Sequence, residues 1–188
     1  WINNKFNFEE YKSPGQASAV RSMLHMPEGK TSLVILPTGE GKSLIYQALA
    51  VNQKNQTIAV VVPTVALAID QAEEIEQVEE LKSGKLGIPH AYIGGKIEDN
   101  NKILESIPSG SQGLVFAAPE SFNTTLRIPL IKAARQGNLG AVIIDEAHLV
   151  YAWGSDFRSD YQILASLISE LRAEVPEGHN LKIICLSA

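Results

Sequence analysis

The 188-residue chain has one cysteine, and only 6% of it is aromatic. Cys185 has no second cysteine to pair with, and no Cys/His cluster has the spacing of a zinc site. Neither a disulfide nor a structural metal is required, because a chain of this size buries roughly 70% of the surface its unfolded form exposes. Long hydrophobic runs are also missing. None exceeds about five residues, against the ~18 needed to span a bilayer, and the start WINNKFNFEE has no signal-peptide pattern. A soluble, cytoplasmic chain is expected, nucleoid-associated if bacterial, with no membrane partner. A basic excess is lacking as well: 16 Lys and Arg face 21 Asp and Glu, for a formal net charge of -5. Taken as a total, that argues against a nucleic-acid partner, whose phosphates attract basic surfaces. The excess is local, however. Between Asp70 and Glu80 the stretch DQAEEIEQVEE holds six acids and no base, and without it the chain would carry +1. It reads as the solvated face of one helix.

What is present is an alternation. Short apolar runs at Leu33–Leu36, Ile58–Val62, Ala91–Ile93, Leu114–Ala117, Ala141–Ile144 and Lys182–Leu186 are separated by longer stretches with helical spacing. Runs apolar at every position suit strands covered on both faces, hence a parallel sheet between two helical layers. In such sheets ligands sit beyond the carboxyl ends of the strands. No repeat or linker interrupts the pattern, and one domain is expected. The start at Trp1 and the end on the apolar run LKIICLSA suggest a piece of a longer protein.

The first run leads into Pro37-Thr38-Gly39-Glu40-Gly41-Lys42-Ser43 and then the helix-compatible LIYQALAV, which begins at Leu44. Two glycines let the backbone curl so that its amides and a helix N-terminus face one anion. Lys42 would reach the terminal phosphates and Ser43 would ligate magnesium. The strict phosphate-loop pattern wants glycine where this chain has Leu36. The run Ala141–Ile144 ends in Asp145-Glu146-Ala147-His148, two carboxylates at a strand tip, as magnesium-dependent hydrolysis requires. Asp145 would hold the metal and Glu146 would orient and deprotonate the attacking water.

PTGEGKS, DEAH and the terminal Leu186-Ser187-Ala188 resemble superfamily 2 helicases. The stretch from Asp145 through Trp153, Gly154, Asp156, Phe157 and Arg158 to Tyr161 resembles, at fixed spacing, the signature of RecQ-like DNA helicases. The resemblance covers nearly the whole chain. It implies a RecA-like P-loop NTPase fold, a mostly parallel α/β sheet in three αβα layers. Residues 1–30 would form an adenine-recognition segment and 31–188 the P-loop core of a first lobe, the second lobe being absent. It implies ATP and Mg²⁺ as cofactors, with Thr38 to Leu44 around the phosphates. His148 would couple the γ-phosphate to the second lobe.

Phe8-Glu-Glu-Tyr-Lys12-Ser13-Pro-Gly-Gln16 resembles the family's adenine motif, with Phe8 stacking on the base, Gln16 reading its amino edge, and Lys12 in place of the usual Arg. Ser13 is an insertion in that pattern. In the family the loop after DEAH couples single-stranded DNA to hydrolysis, and Trp153, Phe157 and Arg158 fall on its matching positions; rings that stack on bases give ~1–3 kcal/mol each. Pro63-Thr64 resembles a DNA-backbone motif, Gly94-Gly95 would bring amides to another phosphate, and Ser121 replaces the Arg of the family's A-P-E-R. The implied partners are single-stranded DNA, duplex junctions and a second RecA-like lobe of the same polypeptide. The implied activity is 3′ to 5′ translocation with unwinding. A translocase of a restriction or defence system that separates no strands, or a nucleotide-switched binding module, are the alternatives. His25, His90 and His179 match nothing, and Cys185 reads as a buried small hydrophobe.

Overall fold

A computed structural model describes residues 6, 9–27, 29–53, 55–76, 97–149, 155–179 and 181–188, with side-chain surroundings omitted for Glu76, Ile97 and residues 155–158. Phe8, His90, Gly94, Gly95, Trp153 and the expected strand Ala91–Ile93 lie outside the described residues, and of Phe157 and Arg158 only the helical backbone is described.

The first helix, α1 (Pro14–Leu24), begins at an extended Ser13 whose hydroxyl accepts from the Gln16 N–H, with proline in the first turn. The residue that reads as an insertion is therefore the helix cap. The strands are β1 (Thr31–Ile35), β2 (Thr57–Val61), β3 (Leu114–Ala117), β4 (Leu139–Ile144) and β5 (Lys182–Ser187). Between them run α2 (Ser43–Asn52), α3 (Val65–Glu76), α4 (Ile97–Ser106), α5 (Pro119–Asn123), α6 (Arg127–Arg135) and α7 (Ser155–Glu174). Among the described residues all strand pairs are parallel, in the order β1-β5-β4-β2-β3. This is the expected α/β sheet of a RecA-like fold.

Every residue of β2 and β3 is buried, and all but Thr57 are apolar, as a strand between two helical layers requires. On one face Val34, Val60, Phe116 and Ile143 pack with Val20 and Met23 of α1, Leu49 of α2, and Ala68 and Ile75 of α3. On the other, Val61, Val115 and Val142 pack with Ile103, Phe122, Leu130, Leu164, Leu167 and Leu171 from α4 to α7. The first strand departs from this rule. β1 lies at the edge opposite β3, and Leu33 and Ile35 are 61% and 66% exposed, so it is covered on one face only. Cys185, expected to be buried, is half-buried on β5, and burial still pushes its thiol up from the ordinary value.

Lys182 at the start of β5 is buried, with its Nζ donating to the carbonyls of Met23 and Leu24 at 2.9 and 2.8 Å. It satisfies the last carbonyls of α1, groups a helix leaves without internal partners.

Candidate functional site

The strand order places the carboxyl ends of β1, β5 and β4 side by side, with β2 and β3 beyond them. The loop 36–42, the pair Ser187-Ala188 and the turn from Asp145 to Leu149 thus meet at one edge of the sheet, and Pro63-Thr64 and the start of α5 continue the row.

The backbone of the first loop turns at Gly39 and Gly41, with φ of 84° and 71°, values that L side chains rarely adopt. Leu36, where the strict motif has glycine, extends β1: its N–H donates to the Ser187 carbonyl at 3.1 Å, and its side chain is buried. The space it occupies exists because Gly15 has no side chain; a Cβ there would stand 3.3 Å from Leu36 Cδ2. Thr38 and Gly39 are exposed. Leu44 follows the loop. Its side chain lies in the core and its N–H donates to the Gly41 carbonyl at 3.2 Å, because it already belongs to the first turn of α2.

Gln16 is nearly fully buried, and its amide is engaged within the chain. Oε1 accepts from the Lys12 N–H at 2.8 Å and Nε2 donates to the Gly41 carbonyl at 3.0 Å. Lys12 Nζ reaches the Gly39 carbonyl at 3.2 Å. The adenine-motif residues therefore hold the phosphate loop directly. The resemblance assigned Gln16 to the base, and its grip on Gly41 was not legible from residue types.

The Lys42 side chain is 10% exposed, and its Nζ lies 3.4 Å from the Leu36 carbonyl and 3.7 Å from Glu146 Oε1. Glu146 Oε2 is 3.3 Å from His148 Nδ1, and the same nitrogen is 3.3 Å from Ser187 Oγ. One polar chain thus joins the loops after β1, β4 and β5. Asp145 donates its backbone N–H to the Val61 carbonyl and receives the Glu146 N–H on Oδ1, both at 2.9 Å. Burial raises the Asp145 carboxyl above its ordinary value; the Glu146 N–H opposes this, the Glu146 charge adds to it, and Lys42 and His148 oppose it. Glu146 itself adopts a left-handed φ of 48°. A non-glycine residue there costs on the order of 1–3 kcal/mol, a strain that clusters at functional sites.

Thr64 caps α3: the Leu67 N–H donates to its Oγ1 at 3.3 Å and the Ala68 N–H to its carbonyl at 3.1 Å. Pro63 is buried before it. Asn123 at the end of α5 donates to the Asp160 carbonyl at 2.9 Å, linking the A-P-E-S segment to α7. Tyr161, the last residue of the RecQ-like stretch, is buried, and burial with the Asp145 and Glu120 charges pushes its phenol up to about 12. It stands close enough to feel the candidate metal-binding carboxylate.

A second tyrosine was passed over in the sequence. Tyr46, one turn after Ser43 on α2, is fully buried and donates to Gln71 Oε1 of α3. Burial holds its phenol well above the ordinary value, and the Asp145 and Glu74 charges add to this. The i, i+3 spacing from Ser43, which puts both hydroxyls on one helical face, was the available signal.

The DEAD/DEAH box helicase family model matches residues 13–188. The chain is 32% identical over 169 residues to "ATP-dependent DNA helicase RecQ" of Bacillus subtilis, covering 88% of this chain and 26% of the relative. It is 33% identical over 173 residues to "ATP-dependent DNA helicase Q5" of Rattus norvegicus, covering 90% of this chain and 17% of the relative. The chain thus spans about a quarter or less of these curated relatives' length. Among solved structures it superposes on the helicase MrfA bound to DNA and AMPPNP with a TM-score of 0.70 at 20% identity, over 93% of this chain and 24% of that one. The UvsW helicase of bacteriophage T4 gives 0.63 at 19%, over 98% and 56%. At these identities the structural likeness shows the fold.

Proposed function

This chain belongs to the DEAD/DEAH box helicase family, and on that premise we propose that it is the ATP-binding motor lobe of a RecQ-like DNA helicase. In the intact protein it would couple ATP hydrolysis to 3′ to 5′ movement along single-stranded DNA and to strand separation. The observation that carries the reading is the polar chain from Lys42 through Glu146 and His148 to Ser187.

Each member has a task that its position supports. Lys42 is held beside the phosphate loop by the Leu36 carbonyl and the Glu146 carboxylate, so its charge is already at the anion's end of the site. The Ser43 hydroxyl and Asp145 carboxylate are oxygen donors of the kind a hard divalent cation takes, and they would hold magnesium here. Bound there, magnesium would neutralise charge on the transferring phosphoryl group. The raised Asp145 carboxyl fits this role, since a buried carboxylate gains most from a cation. Glu146 is the residue for positioning and deprotonating water. His148, bridging Glu146 and Ser187, is placed to report the state of that carboxylate to the chain beyond β5. A second RecA-like lobe would supply the remaining half of both the nucleotide cleft and the DNA groove.

The strand order supports the coupling. Asp145 leaves β4, which lies between the strands carrying the nucleotide loops and β2, whose loop carries Thr64. Trp153, Phe157 and Arg158 are proposed as the base-stacking and phosphate contacts of the loop that follows.

ATP turnover of the intact protein, measured with and without single-stranded DNA, tests the reading. Stimulation by DNA that Trp153→Ala largely removes is the expected result; turnover that DNA leaves unchanged would refute it. Release of a strand from a 3′-tailed duplex then separates a helicase from a translocase that parts no strands.

A further inference from the structure

Among the described strands, β1 alone leaves large apolar side chains open on a face of the sheet, Leu33 and Ile35. They alternate with Val34 and Leu36, which are buried with α1, α2 and α3, so they point to the opposite face, the one that α4 to α7 cover elsewhere. The register agrees. Leu33 pairs with Cys185 and Cys185 with Ile144, half-buried residues two places after Ile183 and Val142 of that second core. α7 reaches β1 at its start, where Arg172 donates to the Thr31 hydroxyl at 2.6 Å, and leaves the next two residues of that face open.

The outer edge of β1 is open too. The Leu36 N–H donates to the Ser187 carbonyl of β5, and the Lys30 carbonyl accepts from Ile183. Residues of even number thus turn their backbone groups to β5, and those of Leu33 and Ile35 turn away from it. Among the described residues no strand pairs with that side. The strand TSLVI carries no charge, and an uncharged apolar edge is a template for another strand.

Topology decides what kind of cover fits. The crossovers from β3 to β4 and from β4 to β5 step toward β1, and their helices α5, α6 and α7 lie on the second face. The crossover from β1 to β2 steps away, and its helix α2 lies on the first. One hand relates all three, as the right-handed rule for parallel crossovers requires. β5 already has β1 and β4 as neighbours, so a further parallel strand finds its nearest free place outside β1. Reaching that place is one more step in the same direction. By the same hand, its helix crosses the second face, over Leu33 and Ile35.

We infer that the apolar face and free edge of β1 are a docking surface for the polypeptide that follows Ala188 in the intact protein. Its occupant is an amphipathic helix seated on Leu33 and Ile35, followed by a strand parallel to β1 that takes the Leu33 and Ile35 backbone groups. The inference rests on the reading of this chain as one lobe of a longer protein, a length that its curated relatives have. It adds to that reading a contact within the lobe: Ser187, which meets His148, leads into a helix that bears on the strand feeding the phosphate loop. The segment has a readable pattern, apolar residues at i, i+3, i+4 and i+7 and then a β-branched apolar run.

The test uses the intact protein. Hydrogen exchange of the wild type is read residue by residue along β1. The Leu33 and Ile35 amides should exchange as slowly as those of Ser32 and Val34, about 100-fold or more below an amide free at a sheet edge, because paired strands open only with the structure around them. The occupant is identified with Leu33→Met and, separately, Ile35→Met, each carrying a photoreactive diazirine analogue of methionine. The wild type with the same analogue gives the background from Met23, Met26 and any other methionine. Irradiation of both variants should attach the side chain to peptides within about 30 residues after Ala188, the span of one crossover helix and its strand. Attachment to a more distant part of the polypeptide, or no attachment in either variant, would overturn the proposal. So would attachment between copies, read from a mixture of isotope-labelled and unlabelled protein, which would make the face a dimer contact. ATP turnover with and without single-stranded DNA separates this inference from the reading it rests on. Slow amides without stimulation would overturn the functional reading and leave the cover in place, whereas free amides with stimulation would overturn the cover alone.

Discussion

Lys42 Nζ and Glu146 Oε1 stand 3.7 Å apart, although the two residues leave strands separated in the sheet by β5. The pair joins the loop after β1 to the turn after β4. Each partner therefore shields the other's charge in a poorly solvated position, and removing one exposes what the other does. Glu146→Gln keeps the size of the side chain and a hydrogen-bonding oxygen for Lys42, but it cannot take a proton from water. Nucleotide affinity should stay within about threefold, while single-turnover hydrolysis falls by 10²–10⁴, on the order of a general base's contribution. Lys42→Ala should weaken affinity and hydrolysis together. Equal losses in binding from both variants, by titration with a fluorescent nucleotide, would show that Glu146 serves nucleotide binding by holding Lys42 in place, and not the chemical step.

Gly41 and Gly39 both have left-handed backbone, yet only one is crowded. A Cβ on Gly41 would lie 2.4 Å from Gln16 Nε2, while a Cβ on Gly39 meets nothing within 4 Å. Both alanine variants carry conformational strain of ~1–2 kcal/mol; Gly41→Ala must also displace a buried amide that hydrogen-bonds the loop. It should therefore lower the melting temperature and the nucleotide affinity more than Gly39→Ala. Gln16→Ala in the Gly41→Ala background should recover part of the lost stability. Equal effects of the two glycine variants would show that Gln16 gives way without cost.

The Asp145 carboxyl is raised from its ordinary value chiefly by burial. Between about 3.8, the unperturbed value, and the raised folded value, the native state binds more protons than the unfolded state, so this group's contribution to stability falls as pH rises through that window. Above it, the charged carboxylate is a standing cost in the absence of a cation. Asp145→Asn should raise the melting temperature at neutral pH, and the advantage over wild type should shrink as pH falls toward the ordinary carboxylate range. A variant that loses turnover and gains no stability at neutral pH would contradict the assignment of burial as the leading cause.

Much of this was legible because the chemistry is local in sequence. Glycine, lysine and serine after one apolar run, and two acids after another, each sit on one turn whose backbone they require, and the parallel sheet followed from runs apolar at every position. The single-sided burial of β1 was not legible. Leu33 and Ile35 look like residues of a central strand, and only the strand order shows that β1 is at the edge. Tyr46, Gln71 and Lys182 were missed for a related reason. Tyr46 and Lys182 are polar groups buried inside apolar stretches and Gln71 is half-buried in an acidic helix, and the partner lies 25 residues away for Tyr46 and Gln71 and more than 150 for Lys182 and the end of α1. Gln16 shows the intermediate case, since its residue type pointed to hydrogen bonding and only the fold shows that it grips Gly41.

Lys182 carries the most direct stability prediction. Its ammonium crosses the core from β5 to the last carbonyls of α1, the helix whose other end presents Gln16 to the phosphate loop. Lys182→Met retains most of the volume and leaves the Met23 and Leu24 carbonyls without that donor. The Met23 carbonyl still accepts from the Met26 N–H at 3.4 Å, so the Leu24 carbonyl is the one that loses its donor, and leaving such an acceptor unpaired costs roughly 1–3 kcal/mol. Urea unfolding should show a loss in that range, and nucleotide affinity should fall with it if α1 holds Gln16 in register. Burial also lowers the Lys182 ammonium from its ordinary 10.5. Between the lowered value and 10.5 the unfolded chain binds more protons than the native one, so this group's contribution rises with pH through that window. The wild type's stability relative to Lys182→Met should therefore increase as pH approaches 10.5. A stability difference that stays flat from neutral pH upward would mean that the two carbonyls compensate the ammonium's desolvation fully. A methionine variant as stable as wild type would remove the capping role.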